Sequence, residues 1–543
     1  MKHLSISFAL LVAACPGGSV PDDDDSTPGD DDDATTAPCD DGIELTPGRV
    51  LTTSGVLGGT ASSGVWSWLG VPYAAPPLGG SRFAPPAAVA CAEALVVADA
   101  FGPKCPQLDD QGAVVGDEDC LQINLWAPDG AVDAPVLFFV HGGGNVQGST
   151  TEGGDTYLLY GGAELAERFG VLVVTANYRL GALGFLAHEA LTAEQGQSGN
   201  YGLMDQQAAL QWVQANIAGF GGDPDRVLLF GESAGAVNTC MHLTSPGSAG
   251  LFSAAIMQSG SCGADTLPQA EQTGAAQAQE VGCGDAEDVL GCLRGLDAQA
   301  LAALSVSPVG GGLVVGGGFG PVIDGLVLVE APLERIAAGL HNAVPVVIGA
   351  NADETAIFTP LGTPTAAGYA ARVQAVFGAL AAAVLAEYPL EDYPSARWAW
   401  IALTTDAQFV CPSRWMARAL AEAQSEPVWR YLFSRVPAGL SGELYGSWHG
   451  LELPYVFGKV DAVAAETGWI AEAADRTVED AMGRYWTNLA SSGDVNGPDT
   501  KGGPPAWPLY DIDIDSTLEI GDPILPVNGV RTDKCDFWED LLL

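Results

Sequence analysis

The chain has 543 residues, of which 48% are hydrophobic and 16% are charged, so it has enough apolar side chains to bury a large core. Acidic residues outnumber basic residues by 67 to 21, which gives a formal net charge of −46 at pH 7. A surface this acidic repels phosphate backbones, and nucleic acid is therefore excluded as a partner.

The first 14 residues have the features of a secretory signal peptide. Lys2 and His3 make a basic start, and residues 8–14 form an apolar run that is too short to span a bilayer. The stretch VAAC at 12–15 resembles a bacterial lipobox, which implies cleavage before Cys15 and lipidation of that residue. The alternative is an ordinary signal peptide with a chance cysteine. We predict an exported protein anchored to the cell envelope, with the lipid as its only membrane contact.

Residues 15–42 are predicted to be a disordered tether. They contain ten Asp and no basic residue, so like charges repel and no core can form. The Asp runs could also bind calcium, but they lack the Gly and the spaced Glu of a calcium loop. The remaining residues, 43–543, still carry 57 acidic and 20 basic residues.

Eleven cysteines in an exported chain predict disulfides, and lipidation of Cys15 would leave ten. There is no C-x-x-C pair, and the six His are scattered without an H-x-x-x-H motif, so we predict no metal site. The alternating stretch DIDID at 511–515 is ligand-like in composition only. Its alternation favours a half-exposed strand.

Short apolar runs alternate with helical stretches beyond residue 42. The runs at 136–140, 171–178, 227–230, 255–260 and 344–351 are predicted to be buried strands, and 204–217 is predicted to be a helix. Continuous apolar strands separated by helices are typical of an α/β fold whose mostly parallel sheet is covered by helices on both faces.

The stretch FGESAGAVNTC at 230–240 contains the pattern G-x-S-x-G around Ser233. In a chain with 70 Gly the pattern alone is weak, but here it follows a predicted strand and precedes a predicted helix. That context is the one a nucleophile elbow requires, with Gly231 and Gly235 allowing close approach of the strand and the helix. We predict that Ser233 is a nucleophile at the carboxyl end of the sheet.

A second motif, HGGGN at 141–145, directly follows a predicted strand. A glycine run there can point backbone N–H groups at a carbonyl oxygen. With the N–H group of Ala234, the N–H groups of Gly143 and Gly144 would make an oxyanion hole. A lone glycine run is more often a plain turn, but its position before the predicted elbow favours the functional interpretation.

Several segments together resemble the type-B carboxylesterases, the cholinesterase-like α/β-hydrolases. The similar segments are EDCLQINLWAP (118–128), NYRLGALGFL (177–186), GNYGLMDQQAALQWVQANIAGFGGDPDRVLLFGESAG (199–235), NADET (351–355), WHGLELPYVFG (448–458) and CDFWE (535–539). The resemblance extends over essentially residues 44–543. The resemblance implies one α/β-hydrolase domain at 43–543, although the length alone would allow about three or four domains.

The resemblance also implies the other members of a catalytic triad. The acid of the family matches Glu354, with Asp353 as the local competitor, and Thr355 stands where the family usually has Gly. The base matches His449, which follows Glu354 in the order Ser, acid, His that this fold uses. The five other His lie in the signal peptide, beside the glycine run, or in plain helix or loop contexts. Glu232 would tune the electrostatics beside the nucleophile.

The resemblance implies three disulfides, namely Cys105–Cys120, Cys283–Cys292 and Cys411–Cys535. The other four cysteines allow three pairings. The placement of Cys240 on the helix after the elbow, and of Cys262 after the next strand, makes a Cys240–Cys262 bridge plausible. Cys39 and Cys91 would be left by subtraction.

The expected activity is serine-dependent hydrolysis of small to medium carboxylic esters through an acyl-enzyme, without a cofactor. The loop from Cys105 to Cys120 has no aromatic residue, so the cation–π site of cholinesterases is missing and a choline ester is disfavoured. Asn145 stands where relatives often have Phe, which predicts a more polar pocket mouth.

The alternative functions are hydrolysis of amides, carbamates or lipid esters, and a non-catalytic adhesion or binding role. The sequence does not specify an oligomeric state.

Overall fold

A computed structural model describes residues 43–154, 156–304, 319–362, 365–498 and 502–542. The predicted signal peptide, Cys15, the predicted tether and Cys39 lie outside the described residues. The described residues belong to one unit of the chain, Pro38–Leu543.

Eleven of the strands form one large sheet, in the order β20-β19-β16-β15-β12-β11-β9-β10-β8-β4-β3. The strands are β1 (Arg49–Thr52), β2 (Gly55–Gly58), β3 (Thr60–Ser62), β4 (Val65–Pro72), β5 (Val96–Val97), β6 (Gln107–Leu108), β7 (Val114–Val115), β8 (Gln122–Pro128), β9 (Ala134–Val140), β10 (Leu172–Ala176), β11 (Gly222–Glu232), β12 (Ala254–Gln258), β13 (Asp265–Thr266), β14 (Val322–Ile323), β15 (Val346–Asn351), β16 (Val428–Phe433), β17 (Ala438–Gly439), β18 (Trp469–Ile470), β19 (Ser516–Ile520) and β20 (Leu525–Asn528).

The middle of this sheet is parallel and its two edges are antiparallel. The parallel pairs run without interruption from β10 through β9, β11, β12, β15 and β16 to β19. The strands β8, β4 and β3 at one edge and β20 at the other pair antiparallel. The five predicted strands all fall in the parallel part, as expected for apolar runs that are buried on both faces.

Helices cover both faces of the sheet. They are α1 (Ala163–Phe169), α2 (Gly181–Phe185), α3 (Glu189–Gln195), α4 (Tyr201–Asn216), α5 (Ala234–Thr244), α6 (Leu267–Glu280), α7 (Val289–Gly295), α8 (Ala298–Ala303), α9 (Pro332–Ala337), α10 (Ala366–Phe377), α11 (Ala381–Glu387), α12 (Ala396–Thr405), α13 (Cys411–Ala423), α14 (Leu440–Tyr445), α15 (Leu453–Val456), α16 (Val460–Thr467), α17 (Ala473–Ser492) and α18 (Thr532–Leu542). The predicted helix at 204–217 corresponds to α4.

Alternate residues of each central strand enter different hydrophobic clusters. In β9, Val136 and Phe138 pack with α4 and α5 on one face, whereas Leu137 and Phe139 pack with α1 and α17 on the other. This division follows from the alternation of side chains along a strand. The fold is an α/β-hydrolase fold with a core on each side of the sheet.

The predicted strand at DIDID is wrong. Residues 512–515 form a turn before β19, and Ile512 and Ile514 are 42% and 50% exposed. The reason is a buried ion cluster, in which Asp515 accepts a hydrogen bond of 3.2 Å from Arg430 Nη1 and lies 3.3 Å from Arg414 Nε. Satisfying these two buried guanidinium groups outweighs the local alternation.

Four disulfides join pairs of described cysteines, at Cys105–Cys120, Cys240–Cys262, Cys283–Cys292 and Cys411–Cys535. They are the three pairs that the resemblance implies and the bridge between Cys240 on α5 and Cys262 in the segment after β12. Cys91 is also disulfide-bonded, and its expected partner lies outside the described residues.

One helical stretch among the described residues, Ala366–Glu387, is long and apolar enough to cross a membrane. In the structure it is divided into α10 and α11 at Gly378, which has a φ of +53°. Tyr369, Val373 and Val384 of this stretch pack into a third hydrophobic cluster. The stretch is thus a helical pair that contributes to the core.

Candidate active site

Ser233 lies at a sharp turn between β11 and α5. Its backbone has φ 57° and ψ −123°, a conformation that is costly for any residue except glycine, and its N–H group donates to the Gln258 carbonyl at 2.8 Å. A Cβ at Gly235 would lie 2.1 Å from the Val140 carbonyl oxygen, and one at Gly231 would lie 2.4 Å from Gly235. Only glycine fits at these two positions, which explains the local sequence around the serine.

The glycine run lies directly beside Ser233, because β9 and β11 are parallel neighbours and both chains leave the sheet at the same edge. A Cβ at Gly142 would lie 3.0 Å from the Ser233 Cβ. The run turns with left-handed φ values of +100° at Gly143 and +65° at Gly144. The N–H groups of Gly143, Gly144 and Ala234 donate no hydrogen bond to another residue that the structure describes, so they are free to bind a ligand oxygen.

The first residue of this loop, His141, is structural. Its ring stacks on Tyr178 with the ring centroids 4.5 Å apart, and its Nδ1 lies 2.9 Å from the Gly142 carbonyl oxygen. Burial lowers the pKa of His141 to about 4, so the imidazole is neutral at physiological pH.

The last residue of the loop, Asn145, does not face the pocket mouth. It is buried with a φ of +58°, and Asn238 Nδ2 on α5 donates to its Oδ1 at 2.9 Å. The predicted effect of Asn145 on the polarity of the pocket is therefore wrong. The left-handed backbone turns its side chain inward, where a second asparagine satisfies it.

Glu354 and His449 are directly paired. Glu354 lies in a 3₁₀ turn after β15, His449 lies in the loop between α14 and α15, and His449 Nδ1 donates to Glu354 Oε2 at 2.6 Å. The second oxygen of Glu354 accepts from the Asn351 N–H group at 2.7 Å. Asp353 instead accepts from the Ser447 N–H group at 3.0 Å and does not contact the imidazole through its carboxylate. The geometry favours Glu354 over Asp353 as the acid.

The other nitrogen of His449 points at Glu232. His449 Nε2 lies 3.1 Å from Glu232 Oε1, and the structure has no hydrogen bond between His449 and Ser233. The imidazole thus lies between two carboxylates, and Phe358 and Phe409 flank its ring with centroids 5.4 and 5.1 Å away. Phe409 belongs to a π-helical turn, a feature frequent at functional sites.

A third buried carboxylate, Glu452, completes the cluster and was missed by the sequence reasoning. It accepts hydrogen bonds from Gln258 Nε2 at 3.0 Å and from Asn351 Nδ2 at 2.6 Å. The available signal was its position three residues after His449 in the segment WHGLE. Asn351 therefore contacts two carboxylates of the cluster, Glu354 with its backbone and Glu452 with its side chain.

Burial and charge shift the proton affinities in this cluster. Burial raises the pKa of Glu232 to about 8, although the charge of His449 lowers it. Burial and the charge of Glu354 raise the pKa of Glu452 to about 7. Burial lowers the pKa of His449, but the charges of Glu232 and Glu354 outweigh this effect and raise it to about 9. Displaced proton affinities in one pocket are typical of active sites.

Comparisons with known proteins identify the family of the chain. The family model described as the carboxylesterase family matches residues 45–538. The chain belongs to the carboxylesterase family. Among curated relatives, a para-nitrobenzyl esterase from Bacillus subtilis (strain 168) is 34% identical over 499 residues, covering 89% of this chain and 97% of that protein. A fumonisin B1 esterase from Sphingopyxis macrogoltabida is 36% identical over 477 residues, covering 85% and 84%.

Solved structures give the same result. A thermophilic PNB esterase is 32% identical with a TM-score of 0.77, covering 91% of this carboxylesterase and 100% of that chain. A second PNB esterase is 34% identical with a TM-score of 0.76 and the same coverage. The protein is thus a carboxylic ester hydrolase. Among the residues in the described ranges, no group of three or more His, Cys, Asp or Glu is placed to hold a metal ion.

Proposed function

We propose that this carboxylesterase hydrolyses small to medium carboxylic esters through Ser233, His449 and Glu354. The observation that supports the proposal most is the placement of Ser233 at a strained turn beside three free N–H groups, with a His–Glu pair at the same edge of the sheet. Each element corresponds to one requirement of acyl transfer, namely a nucleophile, an oxyanion hole and an oriented base.

In the proposed reaction, His449 Nε2 leaves Glu232 and accepts the Ser233 proton as the hydroxyl oxygen attacks the ester carbonyl. The N–H groups of Gly143, Gly144 and Ala234 stabilise the resulting oxyanion, and each donor contributes about 3 kcal/mol. The C–O bond to the alcohol then breaks, and His449 protonates the departing oxygen. Water, activated by the same imidazole, hydrolyses the acyl-enzyme and restores Ser233.

A substrate panel tests the reaction class. We expect p-nitrophenyl acetate, butyrate and hexanoate to be cleaved with higher kcat/KM than a long-chain ester or the matching p-nitroanilide. An amide leaving group needs more assistance than a nitrophenolate. An anilide that is cleaved as fast as the butyrate would contradict the proposed ester preference.

The pH dependence should reveal the contact between Glu232 and His449. The base must be neutral to accept a proton, so kcat/KM should rise with pH along a limb whose midpoint lies above the usual histidine pKa of about 6.5. In Glu232→Gln, loss of the neighbouring negative charge should lower the pKa of His449 and move that midpoint down by about one unit. The measurement is kcat/KM for p-nitrophenyl butyrate over the range from about pH 5 to about pH 10. If the midpoint did not move, Glu232 would not stabilise the charged form of His449.

We also propose export and lipid anchoring through Cys15, followed by the acidic tether at 15–42. The support is the sequence alone, namely the lipobox-like VAAC and the run of Asp residues. In cells, Cys15→Ser should move the enzyme from the membrane fraction to the soluble fraction. A variant that stayed wholly membrane-bound would contradict the anchor.

A further inference from the structure

A cavity of about 310 Å³ lies between the loop closed by the Cys105–Cys120 disulfide and the glycine loop. Gly142 and Glu232 form part of its wall. A Cβ at Gly142 would lie 3.0 Å from the Ser233 Cβ, so this part of the cavity wall lies beside the nucleophile.

The wall carries four carboxylates and one ammonium group. Lys104 Nζ pairs with Glu152 at 2.9 Å, so that these two charges offset each other. Asp109 uses its Oδ1 to accept two backbone N–H groups of its own turn, at 2.8 and 2.9 Å. Asp110 has no hydrogen bond or ion pair with any residue that the structure describes. Two carboxylates of the disulfide loop therefore face this cavity without a cation.

Glu232 gives a second and independent indication. It is 5% exposed, and its Oε1 has no well-directed hydrogen bond, only the 3.1 Å contact with His449 Nε2 that the proposed reaction must break. Its Oε2 accepts no hydrogen bond from a described residue and lies against Gly142, in the cavity wall. A buried carboxylate oxygen without a donor, such as Glu232 Oε2, is costly unless a ligand supplies one.

We propose that this cavity binds a primary ammonium or guanidinium group of the ester substrate. The inference rests on the proposed function and names a substrate class for it. Such a cation can donate hydrogen bonds to Glu232 inside the cavity and to Asp109 and Asp110 at its rim. The general excess of acidic residues on the chain would also attract a cationic ester.

The chemistry favours a cation with N–H groups over a quaternary one. A quaternary ammonium is bound best by an open aromatic face. Residues 106–119 include no aromatic residue, and the aromatic side chain in the wall, Tyr160, is buried with its ring 4.6 Å from that of Phe139. Carboxylates recognise N–H donors by charge and direction, which a trimethylammonium group cannot match.

The test compares benzylammonium with benzyl alcohol and benzyltrimethylammonium. Dissociation constants come from calorimetry on the full chain at low ionic strength, and competition with p-nitrophenyl butyrate locates the site. We expect benzylammonium to bind about tenfold more tightly than either of the other two and to compete with the ester. In the double variant Asp109→Asn and Asp110→Asn this preference should fall several-fold, while the asparagine at 109 can still accept the turn hydrogen bonds.

Asp119→Asn is the matched control, since it removes one charge from the same disulfide loop at a residue outside the cavity wall. It should leave the preference for benzylammonium unchanged. Equal binding of all three probes, or an equal loss in the Asp119 variant, would overturn the inference. Calorimetry does not depend on turnover, so a protein that prefers benzylammonium but leaves p-nitrophenyl butyrate intact would refute the proposed function and not the cation site.

Discussion

Replacing Ser233 with alanine should lower kcat/KM for p-nitrophenyl butyrate by about 10⁴- to 10⁶-fold, the range found when a serine hydrolase loses its nucleophile. The oxyanion donors and the His–Glu pair remain in this variant, but no acyl-enzyme can form. The same change should abolish covalent labelling by a fluorophosphonate probe. The fold should persist, because an alanine fills less space than the serine at the same turn.

The matched control is Ser259→Ala. Ser259 is also buried and also has a left-handed backbone, with a φ of +56°, and it lies at the end of the neighbouring strand β12. This variant should still be labelled by the fluorophosphonate, with the probe mapped to Ser233 by mass spectrometry. If labelling survived in Ser233→Ala and disappeared in Ser259→Ala, the nucleophile would be Ser259 and the assignment of Ser233 would be wrong.

Replacing Glu354 with glutamine should lower kcat by about 10³- to 10⁴-fold with little change in KM. The carboxylate accepts from His449 Nδ1 at 2.6 Å, so that Nε2 is the nitrogen that accepts the serine proton once it has left Glu232. A glutamine can present its N–H₂ group to the imidazole and favour the wrong tautomer, and it removes the charge that stabilises the imidazolium. Steady-state kinetics at about pH 8, with thermal unfolding to check the fold, measures the effect.

Asp353→Asn serves as the control for Glu354→Gln, because it changes the adjacent acid in the same way. Asparagine can still accept the hydrogen bond from the Ser447 N–H group, so the turn should be retained and kcat should stay within about tenfold of wild type. Large losses in the Asp353 variant with normal activity in Glu354→Gln would reverse the assignment of the acid.

The nucleophile and its loop could be predicted because their requirements are local. Ser233, Gly231 and Gly235 lie within five consecutive residues, and the glycine run follows its strand directly. The resemblance to type-B carboxylesterases implied Glu354 and His449, which the structure places 2.6 Å apart although 95 residues separate them. No local pattern would have paired these two residues.

The errors and omissions have a common cause in long-range packing. DIDID has a strand-like alternation, but Asp515 pairs with Arg430 and Arg414. A local alternation of residue types carries no information about such distant partners. Asn145 was expected at a pocket mouth, but Asn238 on α5 draws its side chain inward. Glu452 was overlooked because its partners, Gln258 and Asn351, are about a hundred or more residues away.

By itself, the sequence determined that this chain has a parallel sheet covered by helices and a serine elbow beside a glycine loop. Those features depend on periodicity and on glycines at fixed offsets, which neighbouring residues alone decide. The tertiary structure decided which atoms meet at the site, including the contact of His449 with Glu232 and the carboxylates that line the cavity. These depend on how distant segments pack, since burial and neighbouring charges set both the direction of a side chain and its affinity for protons.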